Sequence, residues 1–409
     1  MTAALRRGAS AVIATAITAT ALVVTGPAAS ADEAFYQPPD PLPAGRDGDV
    51  IKSQPSNIAG AQATRIMYLS QDEDGTAIPV TGTVLVPDKP WEGPGPRPIV
   101  GYAPFTAGIG DQCAPSKTLA GEPGGDITTE FQRGFINQLL DRGIAVAQTD
   151  YQGLGTPGDH TYVMREVSAH AVLDGIRAAQ RLPEADLPDD GPVGITGYSQ
   201  GGGAAAAAAE LAPQYAPELD LKGAYSGAPP ADLSVLAESI DGSYAAGFGG
   251  FALIGTNAAY PELRIVEDLA NDKGKQFFEE ARKVCTLEAL VKFAGMKTSD
   301  LTADGRSLAE YLAVEPFRTV AEQQRVGNLA PAVPVQVGHN PADDIVPYEQ
   351  GKQMARDWCA KGASVQFTDL PAAPVFAHVG ALPPAQADSA NWLVDRFTGK
   401  PAPSNCGQF

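Results

Sequence analysis

The chain has few basic residues, few cysteines and few histidines, and these shortages exclude several classes of protein. Lys and Arg together number 29 among 409 residues, against 48 Asp and Glu, and the formal net charge is -19. Because so acidic a surface repels nucleic acid and anionic membranes, we expect no nucleic-acid partner. The sequence contains no HExxH motif, no phosphate-binding loop and no CxxC pair. We therefore expect neither a metal ion nor an organic cofactor.

Long apolar runs are also absent beyond residues 1–31, which have the pattern of a signal peptide. Arg6 and Arg7 precede an apolar stretch, and Ala29-Ser30-Ala31 matches the small-x-small site of a signal peptidase. We expect cleavage after Ala31 and export by the general secretory route. Since no second run of membrane-spanning length follows, we expect a soluble extracellular protein without stable membrane insertion.

All the cysteines follow this predicted signal peptide. An even number of cysteines in an exported protein favours disulfide bonds. Four cysteines allow three pairings, and composition does not choose among them. The residues are Cys113, Cys285, Cys359 and Cys406.

Strand and helix patterns alternate along most of the chain after a Pro- and Gly-rich stretch, residues 32–60, that predicts an extended arm. Such alternation predicts an α/β fold, with a mostly parallel sheet covered by helices on both faces. The predicted strands are Thr64–Ser70, Val80–Pro87, Pro98–Ala103, Ile144–Thr149, Pro192–Thr196, Leu221–Gly227, Val333–Val337 and Val365–Leu370. The predicted helices are Phe131–Arg142, Glu166–Arg181, Gly201–Ala212, Tyr348–Ala360 and a last one near Asp388–Phe397.

The pentapeptide Gly197-Tyr198-Ser199-Gln200-Gly201 matches the Gly-x-Ser-x-Gly nucleophile elbow. It lies between a predicted buried strand and a helix made almost wholly of small residues, which is the context that the motif requires. The alternative is an ordinary glycine-rich turn between a strand and a helix. With its context, the motif predicts an α/β-hydrolase whose nucleophile is Ser199.

The histidine of such a site follows the serine and the acid in the chain. His160 and His170 precede Ser199, and we interpret them as a surface loop residue and a helix residue. His339 precedes the candidate acid. This order leaves His378, which lies before the last predicted helix, as the base.

The acid is expected in a loop after a late strand. Asp343 and Asp344 directly follow the predicted strand Val333–Val337, and Asp343 is favoured because it begins an Asp-x-x-Val-Pro pattern. Asp344 is then a solvated neighbour, and Asp369 is a weaker candidate. The carboxylate would fix the tautomer of the imidazole, which takes the serine proton.

A tetrahedral intermediate also needs donors for its oxyanion. The backbone N–H of Gln200, at a helix N-terminus, is one candidate. The second donor must come from another loop, and Asp150 and the Phe105-Thr106 turn are the candidates. The alternative for the Asp150–Gly155 stretch is a tight structural loop.

Residues 233–328 interrupt the alternation with several helical patterns and no strand pattern. We expect this segment to be a helical cap over the active site, inserted into a core made of residues 32–232 and 329–409. It contains a Gly/aromatic run at Ser243–Pro261 that suits an apolar substrate. We consider Phe251, Phe248 and Tyr198 as candidates for the wall of the substrate-binding pocket. The alternative is that the run packs as a buried helix pair.

Five further motifs are specific enough to indicate a family. They are DQCAPS at Asp111–Ser116, TDYQGLG at Thr149–Gly155, AVLDGIRAAQ at Ala171–Gln180, GYSQGG around Ser199 and DDIVPY at Asp343–Tyr348. Together they make the chain, from about residue 60 to about residue 400, resemble the secretory lipase family. Gln200 departs from the pattern of this family, because the family's prototype, a yeast lipase, has a small residue at that position.

The resemblance implies an α/β-hydrolase with a helical cap and a triad of Ser199, Asp343 and His378. It also implies that Asp150 lines the oxyanion hole with Gln200. For the cysteines, it suggests a pairing of the DQCAPS cysteine with one in the cap, Cys113 with Cys285, which leaves Cys359 for Cys406.

Together, the motifs and the resemblance predict a secreted serine hydrolase that cleaves carboxylic esters, namely a triacylglycerol lipase working through an acyl-enzyme. The expected partner is an ester or lipid substrate, and the expected state is a monomer. The alternatives are a carboxylesterase or acyltransferase acting on short or specialised acyl esters, and a non-catalytic binding protein on a hydrolase scaffold. An intact triad argues against the last alternative.

Overall fold

A nine-stranded sheet forms the centre of the protein. A computed structural model describes residues 33–371 and 375–409, so the predicted signal peptide lies outside the described residues. The strand order is β1-β2-β3-β5-β4-β6-β7-β8-β9. The strands are β1 Val50–Ser56, β2 Ala61–Gln71, β3 Ala77–Pro87, β4 Ile99–Ala103, β5 Ala145–Tyr151, β6 Val193–Tyr198, β7 Leu221–Gly227, β8 Val335–His339 and β9 Val365–Asp369.

The sheet has an antiparallel edge and a parallel body. Strands β1, β2 and β3 pair antiparallel, and β3 pairs antiparallel with β5. From β5 to β9 every neighbouring pair is parallel. In β4, β5 and β6 every residue is buried, as expected for strands covered on both faces.

Helices cover both faces of the sheet. One face packs against α3, α4 and α11, and the other packs against α2 and α13. The α-helices are α1 Pro115–Thr118, α2 Ile127–Leu140, α3 Arg165–Arg181, α4 Gln200–Tyr215, α5 Leu233–Ile240, α6 Gly247–Ala259, α7 Asp272–Ala281, α8 Thr286–Lys292, α9 Leu308–Leu312, α10 Phe317–Gln324, α11 Tyr348–Ala360, α12 Ala377–Gly380 and α13 Leu382–Phe397. The α/β prediction is therefore confirmed.

The first residues of the described chain differ from the predicted extended arm. Residues Glu33–Tyr36 form a 3-10 turn, and β1 pairs with β2 at the edge of the sheet. The strand contains Pro55, which has no backbone N–H to donate. A proline is tolerated there because an edge strand bonds on one side only.

Residues 233–328, all of which the structure describes, fold into α5 to α10 and contain no strand. Their side chains build a separate apolar cluster that includes Phe248, Phe251, Phe277, Phe278 and Phe293. The segment leaves the sheet after β7 and returns to it at β8, although β7 and β8 are hydrogen-bonded neighbours. It is therefore an insertion that does not disturb the order of the sheet.

Two disulfide bonds are present, in the pairing that the family resemblance implied. Cys113 bonds to Cys285, with Cα atoms 5.5 Å apart, across 172 residues of sequence. Cys359 bonds to Cys406, with Cα atoms 5.6 Å apart, across 47 residues. The first bond joins the loop after β4 to the start of α8, where Thr286 N also donates to Ala107 O at 3.0 Å. It thus ties the helical insertion to the core.

The disulfide linking insertion and core should contribute more to stability than the other one. In the chain-entropy model a cross-link stabilises by constraining the unfolded chain, and the effect grows with loop length. Replacing Cys113 and Cys285 by serine should lower the free energy of unfolding by about 5 kcal/mol, against about 4 kcal/mol for the Cys359/Cys406 pair. Urea unfolding of both double variants measures this difference. Non-reducing peptide mapping of the unmodified protein should recover both pairs, and a free thiol or an exchanged pair contradicts the assignment.

Candidate active site

Ser199 occupies a sterically constrained turn between β6 and α4. Its backbone angles are φ 55° and ψ -123°, a left-handed conformation that costs a non-glycine residue free energy. A Cβ atom on Gly197 would lie 2.1 Å from the carbonyl oxygen of Gly201, and one on Gly201 would lie 2.0 Å from the carbonyl oxygen of Ala103. Only glycine fits at both positions. The motif therefore has the geometry that a nucleophile elbow requires.

Three side chains from different loops meet at this turn. Ser199 Oγ lies 2.9 Å from His378 Nε2. His378 Nδ1 lies 2.7 Å from Asp343 Oδ2. Since a carboxylate can only accept, Nδ1 carries the proton and Nε2 is free to accept the proton of the serine hydroxyl. The structure thus brings together Ser199 of the elbow motif, Asp343 of the Asp-x-x-Val-Pro pattern and the histidine that chain order left.

The Asp343 carboxylate has no solvent-exposed side-chain surface and is held at both oxygens. Its Oδ1 accepts hydrogen bonds from Ile345 N at 3.0 Å and Val346 N at 2.8 Å. Burial by itself would raise the pKa of Asp343, but the charge of His378 and hydrogen bonds from His339 and His378 outweigh it and hold the pKa well below the usual range. Asp343 is therefore ionised at neutral pH.

The backbone of His378 is fixed from two sides. His378 N donates to Asp344 Oδ1 at 3.0 Å, and Tyr198 Oη donates to His378 O at 2.8 Å. Asp344 is exposed, as predicted, but its carboxylate also caps this amide. Tyr198 is 1% exposed, and its ring centroid lies 5.1 Å from that of the imidazole. Its burial and its contacts with His378 favour a supporting role, and its place in a substrate wall stays a prediction.

Gln200 follows Ser199, and its side chain is held by a hydrogen bond with His160. Gln200 Nε2 lies 3.0 Å from His160 Nε2, and His160 Nδ1 lies 2.9 Å from Gln152 O. Burial lowers the pKa of His160 to about 4, so the ring is neutral at pH 7. Its Nδ1–H donates to the carbonyl oxygen, and its Nε2 accepts from the glutamine amide.

His160 is completely buried, so its interpretation as a surface loop residue is wrong. The loop after β5 folds back, and the ring of His160 lies 5.8 Å from that of Tyr151 and 5.9 Å from that of Tyr162. Polarity alone suggested exposure, because the sequence does not reveal two aromatic partners and a glutamine amide. His170 lies in α3, as predicted.

Asp150 is fully buried near the end of β5, and its carboxylate is saturated by the core. It accepts from Thr81 Oγ1 at 2.8 Å, from Ser116 N at 2.8 Å and from Gln148 Nε2 at 3.0 Å. The hydroxyl of Ser116 donates to it as well. The side chain therefore anchors the DQCAPS segment, and only the main chain of Asp150 remains for an oxyanion.

Phe251 and Phe248 lie inside the helical insertion. Phe251 is 0% exposed, and its ring is nearly perpendicular to Tyr162 at 5.8 Å and also 5.8 Å from Phe248. The glycines around it permit this close packing, since a Cβ atom on Gly250 would lie 2.1 Å from the Phe277 ring. These contacts favour the interpretation of the Gly/aromatic run as a packed helix.

An apolar cavity of about 30 Å³ lies elsewhere in the insertion, among α6, α7, α9 and α10. Its walls include Leu253, Ile265, Leu269 and Phe317, and neither Phe251 nor a triad residue lines it. Among the described residues, no group of three or more His, Cys, Asp or Glu is placed to hold a metal ion. No helix of the described chain is both long and apolar enough to cross a bilayer.

Comparison with solved structures defines the class of protein. Candida antarctica lipase A in its closed state superposes with a TM-score of 0.80 and 25% sequence identity, covering 91% of this chain and 87% of that one. The rice cell wall degrading esterase LipA from Xanthomonas oryzae superposes with a TM-score of 0.72 at 19% identity, covering 86% of this chain and 100% of that one, and is similar in fold alone. The protein has the α/β-hydrolase fold of a lipase.

Sequence comparison then gives the family. Residues 122–405 match the family described as secretory lipase. Lipase 5 of Candida albicans is 30% identical over 402 residues, covering 93% of this chain and 83% of the relative. Secreted triacylglycerol lipase LIP2 of Malassezia globosa is 28% identical over 393 residues, covering 92% and 84%. A probable inactive lipase, MT1628 of Mycobacterium tuberculosis, is 29% identical over 391 residues, covering 92% and 84%. This chain belongs to the secretory lipase family and is a lipase or carboxylic ester hydrolase.

Adjacent aspartates provide a matched test of the acid. Asp343→Asn should lower kcat by about three to four orders of magnitude, because the amide cannot stabilise the imidazolium and favours the wrong tautomer. Asp344→Asn keeps an acceptor for His378 N and should cost less than about tenfold. Rates on a soluble ester, with circular dichroism to verify folding, measure both. The reverse ranking would move the acid to Asp344.

Phe251→Ala separates packing from substrate contact. If the ring only packs, its removal leaves a cavity and lowers the free energy of unfolding by about 3–5 kcal/mol. The preference among acyl chain lengths should then stay unchanged. Thermal unfolding beside a panel of p-nitrophenyl esters measures both properties. A shifted chain-length preference with little loss of stability would instead make Phe251 part of the acyl-binding wall.

Proposed function

We propose that this protein is an extracellular triacylglycerol lipase that works through an acyl-enzyme on Ser199. The observation that supports this most is the continuous chain from Ser199 Oγ through His378 to Asp343, with distances of 2.9 and 2.7 Å. It occurs at a strained elbow in a member of a lipase family. One relative is named a probable inactive lipase, and the intact chain of contacts supports activity here.

In the acylation step, Ser199 Oγ attacks the ester carbonyl carbon while its proton moves to His378 Nε2. The C–O bond of the resulting tetrahedral intermediate then breaks, and His378 returns the proton to the departing alcohol oxygen. The acyl group remains as an ester of Ser199. For a triacylglycerol the departing alcohol is a diacylglycerol.

Water completes the cycle. It attacks the acyl carbon while His378 Nε2 takes its proton, and collapse of the second tetrahedral intermediate breaks the bond to Ser199. The serine oxygen recovers the proton from His378, and the carboxylic acid leaves. In both steps the ionised Asp343 stabilises the transient imidazolium.

The oxyanion of each intermediate would be bound by backbone amides. The N–H of Gln200 opens α4, where the helix dipole favours negative charge. The second donor in this proposal is the N–H of Asp150, whose own carboxylate is turned into the core by Thr81 and Ser116. The anchored Gln200 side chain and the anchored Asp150 side chain would both keep these amides preorganised.

Residues 233–328 would act as the cap of a core formed by residues 32–232 and 329–409. Two contacts support a position over the site. The ring of Tyr244, from the insertion, lies 5.6 Å from the exposed Phe376 ring, two residues before His378. The ring of Phe251 contacts the ring of Tyr162, which lies in the loop that follows Asp150 and β5.

The surroundings of the proposed activity are extracellular. Secreted relatives, two disulfides and the pattern of residues 1–31 support export, with cleavage after Ala31. The partner is an ester or lipid substrate. The lack of a nucleic-acid partner remains a prediction from the acidic charge, and a monomeric state remains a prediction as well.

A panel of esters tests the function. The mature protein should hydrolyse tributyrin and triolein emulsions as well as p-nitrophenyl esters from C2 to C16. Ser199→Ala should lower every rate by about three or more orders of magnitude, because no other group supplies the nucleophile. Activity limited to short soluble esters would indicate a carboxylesterase, and transfer to added alcohols in preference to water an acyltransferase. A folded Ser199→Ala protein with full activity would remove the proposal.

A further inference from the structure

His339 is a buried histidine beside the proposed triad that the mechanism above does not use. It ends β8, four residues before Asp343, and is 0% exposed. Its Nε2 lies 3.0 Å from Val346 O and 3.4 Å from Asp343 Oδ2. Because a carbonyl oxygen can only accept a hydrogen bond, Nε2 carries the proton. Its single N–H therefore points between the carbonyl and the carboxylate.

The surroundings of the other ring nitrogen bear on the tautomer of His339. His339 Nδ1 is buried without a hydrogen-bond partner. A Cβ atom on Gly351 of α11 would lie only 2.5 Å from it. A proton on Nδ1 would therefore be a buried donor without an acceptor, which is costly. The arrangement favours the tautomer with its proton on Nε2.

A second side of the ring is closed by Tyr348. The two rings are close to perpendicular, with centroids 5.6 Å apart. The backbone of His339 is fixed too, since Leu370 N donates to His339 O at 2.9 Å. The imidazole is thus clamped between α11 and the loop that carries Asp343.

An unpaired buried acceptor is costly, and an apolar side chain of similar size would avoid that cost. The Nε2–H is hydrogen-bonded to Val346 O, and the same nitrogen lies 3.4 Å from the carboxylate oxygen that also receives His378. Oδ1 of Asp343 is held by two backbone amides, whereas Oδ2 receives only side-chain donors. Rotation of the carboxylate would move Oδ2 away from His378 Nδ1.

We infer that His339 is a positioning residue, which holds Asp343 Oδ2 in place against His378 through its Nε2–H. The inference rests on the proposed triad and adds a fourth side chain to it. His339 contacts neither Ser199 nor the reacting atoms, so it acts through Asp343. Loss of the donor should impair catalysis while substrate binding is unchanged.

Two substitutions of His339 separate the donor from the packing. His339→Leu removes the N–H and should lower kcat on p-nitrophenyl butyrate by about ten- to hundredfold, because small misplacements of catalytic groups have such effects. KM should change less than about twofold. The acidic limb of the profile of kcat/KM against pH should also move, since the position of the Asp343 carboxylate relative to His378 has changed. His339→Gln, whose amide can present an N–H, should restore kcat to within about fivefold and return the limb to its place.

Gly351→Ala reaches the same contact without replacing the histidine. The added methyl group would press on His339 at Nδ1 and shift the imidazole away from its place beside Asp343. We therefore expect kcat to fall while KM is unchanged. Gln353→Ala, on an exposed position of the same helix, is the matched control and should leave kcat unchanged. Thermal unfolding shows which variants are folded, and Gly351→Ala decides the outcome if His339→Leu is not.

Ser199→Ala in the same assays distinguishes the two proposals. If it keeps activity, the proposed triad fails. If it is inactive while a folded His339→Leu or Gly351→Ala protein keeps the kcat and pH profile of the unmodified protein, the positioning role of His339 is overturned. A loss of kcat that His339→Gln does not recover also contradicts it, because the effect would then be packing.

Discussion

The close approach of α4 to the strands beneath it is the constraint on which the site depends. Hypothetical Cβ atoms on Gly201 and Gly202 would each lie 2.0 Å from a backbone carbonyl oxygen, of Ala103 and Gly227 respectively. Ser199 N donates to that same Gly227 oxygen at 2.8 Å. The alanines that follow keep the helix against the sheet, with Ala205–Ala209 fully buried. A side chain anywhere in this contact would lift the helix, and with it the serine and the first amide of the helix.

The charges of the buried side chains near Ser199 are determined by burial and by the few polar groups that each side chain contacts. Asp343 keeps its charge because two amides and two imidazoles surround it, whereas burial lowers the pKa of His160 and keeps that ring neutral. Burial therefore has opposite outcomes for two titratable groups, according to the partners that each one has. His378 alone of the three buried imidazoles near the serine contacts its hydroxyl.

Much of the fold was predictable from periodicity, and the exceptions have local causes. The strand Leu221–Gly227 and the helix Tyr348–Ala360 have the predicted bounds, because turn residues delimit them. Helix α13 begins at Leu382 rather than near Asp388, since Pro383 and Pro384 occupy the first turn, where no N–H is needed. Within the site, the elbow motif selected Ser199, the Asp-x-x-Val-Pro pattern selected Asp343, and chain order left His378. The contacts of His160 and His339 were not predictable, because they depend on loops folding back over the sheet.

The Cys113–Cys285 bond has a consequence for a molecule that is cut by a protease. Ser199 lies inside the loop that this bond closes, whereas Asp343 and His378 lie beyond it. A protease that cuts the backbone once between α5 and Cys285 would produce two fragments, one carrying Ser199 and the other carrying Asp343 and His378. Because each fragment keeps one of the two cysteines, they would remain covalently joined. A nicked molecule would then keep these three side chains in one covalent unit until the disulfide is reduced.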